Sequence, residues 1–326
     1  MKTLLETILS RKLFDPKTFI YKWLEDHDIK NYTVNDKGEI DVNGDVNLEW
    51  KGLTELPSLI QFGTVKGDFI CDYNNLTSLR GCPREVGRDF KCSHADLTSL
   101  EGSPRVVGRD FHCIYNKLTT LEGAPRKVGG TFLCSLNQLT SLEGSPEEVG
   151  RDFVCNLNKL TSLEGAPEKV DGNFNCGANN LKDLKGSPRE VGGEFNCSFN
   201  NLPSLSGVPK VIEGGFDCSH NNLKDLKGSP REVKGNFNCD NNKLTSLEGA
   251  PREVEENFFC RHNKLTSLKG SPRKVGADFF CDNNKLTSLE GAPEIVEKYF
   301  YCNRNKVQFT EDDVRRVCKV GSEISV

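Results

Sequence analysis

Residues 132–152 read FLCSLNQLTSLEGSPEEVGRD, and that 21-residue string returns along most of the chain. Written from its first residue, the unit is F-x-C-x-x-N-x-L-x-x-L-x-G-x-P-x-x-V-x-x-x. Phe132, Cys134, Asn137, Leu139, Leu142, Gly144, Pro146 and Val149 fill this copy; Phe90, Cys92, Leu97, Leu100, Gly102, Pro104 and Val107 fill another, with Ala95 at the Asn position. The register holds from Phe69 to about Asn305, with a degenerate earlier copy at Val46, Leu48, Leu53 and Leu56. Such a period marks stacked units that bury a continuous core only together.

Each position has a physical reading. Around Phe90 and Cys92 successive side chains of a short strand point to opposite faces, so Phe and Cys go inward and their neighbours outward. The Asn, present in eleven of twelve copies from Asn74 to Asn305, has an amide able to replace the ladder bonds lost where the chain leaves the strand. The Gly at Gly81, Gly102 and onward to Gly291 predicts a tight or positive-φ turn. The Pro two residues later fixes φ on the way back, and G-x-P opposes a helix, so the return segment is expected to be extended. Together these positions match the leucine-rich-repeat pattern L-x-x-L-x-L-x-x-N-x-L, with Phe and Cys at its second and third Leu positions. The expected fold is therefore a leucine-rich-repeat solenoid with a parallel β-sheet of about 12–13 short strands.

Fourteen cysteines suggest disulfides until their spacing is read. Twelve, from Cys71 to Cys302, stand 21 residues apart, with no C-x-x-C pair for zinc or thioredoxin-like chemistry. One cysteine per unit at an apolar position reads as a small buried hydrophobe in a reducing cytoplasm. Met1 to Phe14 carries no long apolar core or small-residue cleavage site, so a secretory leader is not expected. The net charge of -4 gives no argument for nucleic acid. No run approaches the roughly 18 apolar residues of a membrane span.

The ends read as caps. Leu4, Leu5, Ile8, Leu9 and Leu13 have helical spacing over residues 2–13. Asp15-Pro16 opens a second helix with Phe19, Ile20, Trp23 and Leu24 on its apolar face. Tyr32–Val34, the turn Asn35–Gly38, and Ile40 and Val42 form a hairpin. Thr310 and Asp313 make a capping-box pair before Val314 and Val317. Three parts are expected: a cap over residues 1–45, repeats over 46–309, and a cap helix and tail over 310–326.

Recognition must come from the letters that vary. The residue three before each Cys gives an acidic-polar stripe (Asp68, Asp89, Asp110, Asp152), readable as surface chemistry or as a site for a basic partner. The outward columns beside each Cys gather apolar and aromatic residues in two patches: Ile70, Tyr73, His112, Ile114, Tyr115, Leu133, Leu136, Val154 and Leu157; then Phe259, His262, Phe280 and Tyr301. Such patches are candidate partner contacts. Asn175, Asn196, Asp217 and Asn238 make a polar middle. The histidines find no paired nucleophile, and His94, His220 and His262, though in one column, lie too far apart to share a metal. No phosphate loop or G-x-G-x-x-G occurs. No catalytic residue, metal or cofactor is expected.

The unit resembles the short leucine-rich repeats of bacterial type III effectors from Yersinia and Shigella, through the run N-x-L-x-x-L-x-x-x-P-x-x-[LV]. It also resembles leucine-rich-repeat proteins of large tailed bacteriophages, through Ile40-Asp41-Val42-Asn43-Gly44-Asp45-Val46-Asn47-Leu48 and through Leu76-Thr77-Ser78-Leu79 followed by Gly81 and Pro83. The resemblance implies the fold and a binding habit. Some of those effectors append a ubiquitin ligase with a Cys-x-Asp motif; here Cys318 precedes Lys319 and Val320. The expected function is a non-enzymatic, cytoplasmic protein-interaction module, plausibly a phage protein acting on a host protein, with a self-associating assembly component as the alternative.

Overall fold

The computed structural model describes residues 15–326, so the helix expected over residues 2–13 lies outside them. It divides into two compact units. The first runs to Leu133 and takes in Gly144–Pro146; the second comprises Cys134–Glu143 and Glu147–Val326.

The first unit opens with helix α1 (Pro16–Asp26). Asp15 accepts from the Lys17 and Thr18 N–H groups, and Pro16 follows it where no helical donor is needed. The helix buries Ile20, Trp23 and Leu24, and the Trp23 indole meets Phe62 edge-on at 6.4 Å. Strands β1 (Tyr32–Val34) and β2 (Glu39–Val42) form the expected antiparallel hairpin. The Asn35 side chain accepts from Lys37 and Glu39 across its turn. From there the coils begin. Val46–Asn47, Phe69–Ile70, Phe90–Lys91, Phe111–His112 and Phe132–Leu133 pair in parallel, Val46 over Phe69 and then Phe over Phe.

The return segments are extended as expected, and they also pair. Gln61–Val65, Glu85–Val86, Val106–Val107 and Lys127–Val128 form a second parallel ladder beside β2. The unit's Val is their inward residue. Gly102 shows why the turn between the ladders is glycine. Its φ is +93°, and a Cβ there would stand 2.8 Å from the Leu79 backbone.

The second unit repeats this plan from Phe153–Val154 to Phe300–Tyr301. Its return strands form two ladders, one ending at Glu190–Val191 and one starting at Val211–Ile212. At the C-terminal end the Thr310–Asp313 capping box opens a short helix, Glu311–Arg315. The residues after it do more than trail away. Lys319–Val320 pairs with Ile295–Val296, and Ile324–Ser325 pairs with Phe300–Tyr301, so both ladders gain a rung.

Inward ladders of Phe, Cys, Leu, Val and Asn hold the coils. The Phe rings are fully buried and stack, at 5.5, 5.2 and 5.3 Å from Phe69 to Phe132. Burial of each is worth about 1.5–3 kcal/mol. All fourteen cysteines are free and buried, as a small-hydrophobe role requires. Thiols such as that of Cys176 donate to the carbonyl of the next coil, and burial pushes them well above the usual thiol range. Each Asn side chain ties its own coil to the preceding one. Asn200 Nδ2 donates to the Cys176, Cys197 and Ser198 carbonyls at 3.1, 3.2 and 3.2 Å, while Oδ1 accepts from the Leu181 N–H at 3.0 Å.

Among the twelve regular copies only Ala95 lacks that amide. Ala95→Asn is therefore expected to raise stability by about 1–2 kcal/mol, the net worth of one or two buried hydrogen bonds. Asn200→Ala should lower it by at least as much. Urea midpoints of the two variants check both signs.

Candidate interaction surface

Three columns of each coil face outward: the residue before the Cys, the residue after it, and the next. Ile70, His112, Leu133, Val154, Phe259, Phe280 and Tyr301 occupy the first column and stand half-buried on the strand. Ile114, in the second, is half-buried just beyond it.

The third column corrects the sequence reading. Tyr73, Tyr115, Leu136, Leu157 and His262 were expected on the strand face, but they sit in the turn that ends the strand. The chain must bend there to bring the following Asn inward, and it does so through one left-handed residue per coil. From Trp50 to Arg304 every residue of this column has φ between 51° and 59°. That region costs an ordinary L-residue roughly 1–2 kcal/mol and is easiest for Gly, Asn and Asp. Asn241 and Asn283 are what the backbone favours; Trp, Tyr, Leu and Phe are not.

In the first unit this column makes a stack. Trp50 lies on Tyr73 at 4.3 Å and 7°, Tyr73 on His94 at 4.4 Å and 11°, and His94 on Tyr115 at 4.7 Å and 16°. The rings cover one another's faces and show their edges to water: Trp50 is 70% exposed and Tyr115 56%. Ile70, Lys91, His112 and Leu133 run beside them on the strand. Burial, then the Lys91 charge, pushes the His112 imidazole below its ordinary range, against the pull of Asp110 and Asp89. It is neutral at neutral pH, so the strip beside the stack is apolar apart from Lys91.

The second unit holds Leu136, Val154 and Leu157, with both leucines exposed. Further along, Phe199 stacks on His220 at 4.0 Å. The predicted C-terminal patch is a second ladder, built from the strand column. Phe259, Phe280 and Tyr301 lie face to face at 4.8 and 4.5 Å, within 8° and 2° of parallel. His262 is exposed in the turn column instead. The Arg261 guanidinium sits 5.1 and 5.2 Å from the Phe259 and Phe280 centroids and is held by Asp240.

Sequence reasoning left out Trp50 and Arg261 and weighed His94 only as a metal ligand. Trp50 stands 23 residues before Tyr73, because the first coil carries two extra residues and breaks the period. The acidic stripe has a structural use. Asp68 Oδ1 accepts from the Asp89 N–H, Asp110 from Thr131, Asp152 from Asn173 and Asp278 from Tyr299, each one coil on. These carboxylates cap backbone donors along the edge of the strands. Among the described residues no group of three or more His, Cys, Asp or Glu is placed to hold a metal ion, and no helix is long and apolar enough to cross a membrane.

Two-strand coils joined by a glycine turn and pinned by an inward Asn define the leucine-rich-repeat solenoid. Among solved structures the chain is similar to YopM from Yersinia enterocolitica WA-314, with a TM-score of 0.50 and 20% identity over 80% of this chain. It spans 64% of that protein's length. It is also similar to the leucine-rich repeat domain of APL1B, with a TM-score of 0.60 and 15% identity over 85% of this chain and 87% of the other. A third similar structure is YopM from Yersinia pestis, described as a leucine-rich effector protein, with a TM-score of 0.50 and 18% identity over 86% and 88%. At these identities the likeness is one of fold. No protein-family model matches the chain, and no curated protein is a significant sequence match.

Two outcomes follow from this surface. A folded-state His pKa below the unfolded one means that the unfolded chain binds more protons in between, so stability rises with pH there. His112 should therefore cost stability as pH falls below about 6.5, and His112→Gln should flatten that part of a pH–stability curve measured by urea denaturation. Leu157 makes no stack, so Leu157→Asn relieves the left-handed strain and should gain up to about 1 kcal/mol in the same assay.

Proposed function

We propose that the chain is a protein-interaction module, not an enzyme, and that it holds a partner through the outward columns of its coils. The observation that carries this reading is the Trp50–Tyr73–His94–Tyr115 stack. Bulky rings occupy turns whose backbone favours asparagine, and they are left facing water. Stacking contributes about 0.5–1.5 kcal/mol per pair, which offsets the strain, so stability alone gives little reason to prefer rings to asparagine. Rigid aromatic side chains held in a row are what interfaces use as anchors, and fixing them in advance lowers the entropy lost on binding. Ile70, His112, Ile114 and Leu133 extend the surface in the first unit. Leu136, Val154 and Leu157 contribute in the second, and Phe259, Phe280, Tyr301 and His262 give it a further contact region.

The fold supports a scaffold role, since repeat arrays recognise partners through their variable surface positions. Fourteen free, buried thiols support a reducing compartment, the cytoplasm. The resemblance of Ile40–Leu48 and the Leu-Thr-Ser-Leu runs to phage repeat proteins supports a phage protein acting on a host protein. The second reading, a self-associating assembly component, draws on Ile324–Ser325, the outermost strand of its ladder among the described residues, since edge strands are where chains pair.

Affinity capture from host lysate with quantitative mass spectrometry tests the first reading. The wild type should enrich a defined protein, and Tyr73→Asn with Tyr115→Asn should lose it at least tenfold while circular dichroism and Tm hold. No enrichment, or equal capture by both, removes it. Concentration-dependent growth in light scattering would favour self-association instead.

A further inference from the structure

The stripe of residues three before each Cys has a gap. Asp, Asn, Thr, Glu or Tyr stands there in every other coil, but residue 215 is glycine, preceded by Gly214. The return ladder is interrupted in the same coil, between Glu190–Val191 and Val211–Ile212. The missing side chain opens a notch of about 410 Å³ in the second unit, bordered by Glu194, Glu213, Asp217, Glu256 and Phe259. Among the described residues the single cation on its border, Lys234, is paired with Glu213, and the notch wall holds three further carboxylates, Glu194, Asp217 and Glu256. Phe259, the apolar wall, is the first rung of the Phe259–Phe280–Tyr301 ladder. The one cation on the ladder, Arg261, is itself held by Asp240.

We propose that this notch and ladder form one docking track for an extended peptide, with a basic side chain, arginine above all, in the notch and apolar side chains on the rings. The inference rests on the interaction reading above and specifies its partner chemistry. Three carboxylates beside an aromatic face suit a guanidinium, which pairs bidentately with carboxylate and stacks on rings. Arg261 already lies beside the stacked Phe259 and Phe280 rings, 5.1 and 5.2 Å from their centroids. The spacing sets the sequence. The ladder is about 9 Å long, the sum of 4.8 and 4.5 Å, and alternate residues of an extended chain are about 6.7 Å apart. The track therefore fits a basic residue followed by apolar residues two and four positions on.

Gly215 provides the decisive variant. Its φ is not left-handed, and a Cβ there would lie 3.3 Å from the Asn236 carbonyl oxygen and 3.6 Å from Glu194. Gly215→Asn thus fits with a small adjustment, fills the notch, and gives the Asn236 N–H the side-chain acceptor that other coils have. The probe is a fluorescent ten-residue peptide with Arg-Ser-Leu-Ser-Leu at its centre, compared with its citrulline twin by anisotropy on the full chain. The arginine peptide should bind at least tenfold tighter. Gly215→Asn should lose that affinity while its Tm holds or rises. Asp217→Asn with Glu256→Gln should weaken the arginine peptide tenfold and leave the citrulline peptide unchanged. Equal affinity for the two peptides, no saturable binding at millimolar peptide, or full affinity in Gly215→Asn overturns the proposal. If partner capture still depends on Tyr73 and Tyr115 in that event, only this inference falls and the interaction reading stands.

Discussion

Each coil leaves its strand after two residues, and at that point a backbone that has lost its ladder must find new partners inside the protein. The buried asparagine amide supplies them. By donating to carbonyls of its own coil and of the preceding one, and by accepting from the leucine N–H of the preceding coil, it fixes both the turn and the register between neighbours. The outward column follows from the same turn. The residue there is left-handed in every described coil, including those of Trp50 and His94 where Lys51 and Ala95 stand in place of the Asn, so each unit presents a column of side chains one coil apart whatever their chemistry.

That constant spacing turns composition into geometry. Four aromatic residues in successive turns stack because their backbones are held about one strand spacing apart, not because any of them seeks another along the sequence. The same holds for Phe259, Phe280 and Tyr301 on the strand. Surface aromatics on a flexible segment would pay an ordering cost on binding that these do not. The scaffold is uniform and buried; the contact chemistry is a choice of letters on it, and a single glycine in one column is enough to open a notch.

The acidic stripe shows how one residue type can carry two readings. As letters, Asp68, Asp89 and Asp110 leave surface chemistry and a basic partner both open. In three dimensions each carboxylate accepts a backbone N–H one coil away, which charge and spacing do not display. His112 is similar: the sequence marks it as outward, while its half-burial beside Lys91 makes it a neutral member of an apolar strip. Trp50 was hidden for the opposite reason, since two extra residues in the first coil moved it out of the column that the period defines.

The sequence by itself determined the coil: its length, its inward Phe, Cys, Leu and Val, its pinning Asn and its glycine turn. These follow from alternation, φ preference and hydrogen-bond satisfaction, all of which act within one unit or between copies of it. Only the tertiary structure decided that the return segments pair into a second ladder, that Tyr73 and Tyr115 belong to a turn, that the rings stack, and that residues 319–325 extend the ladders. Those outcomes depend on contacts between positions 21 or more residues apart, where direction and distance are set by stacking and no local pattern records them.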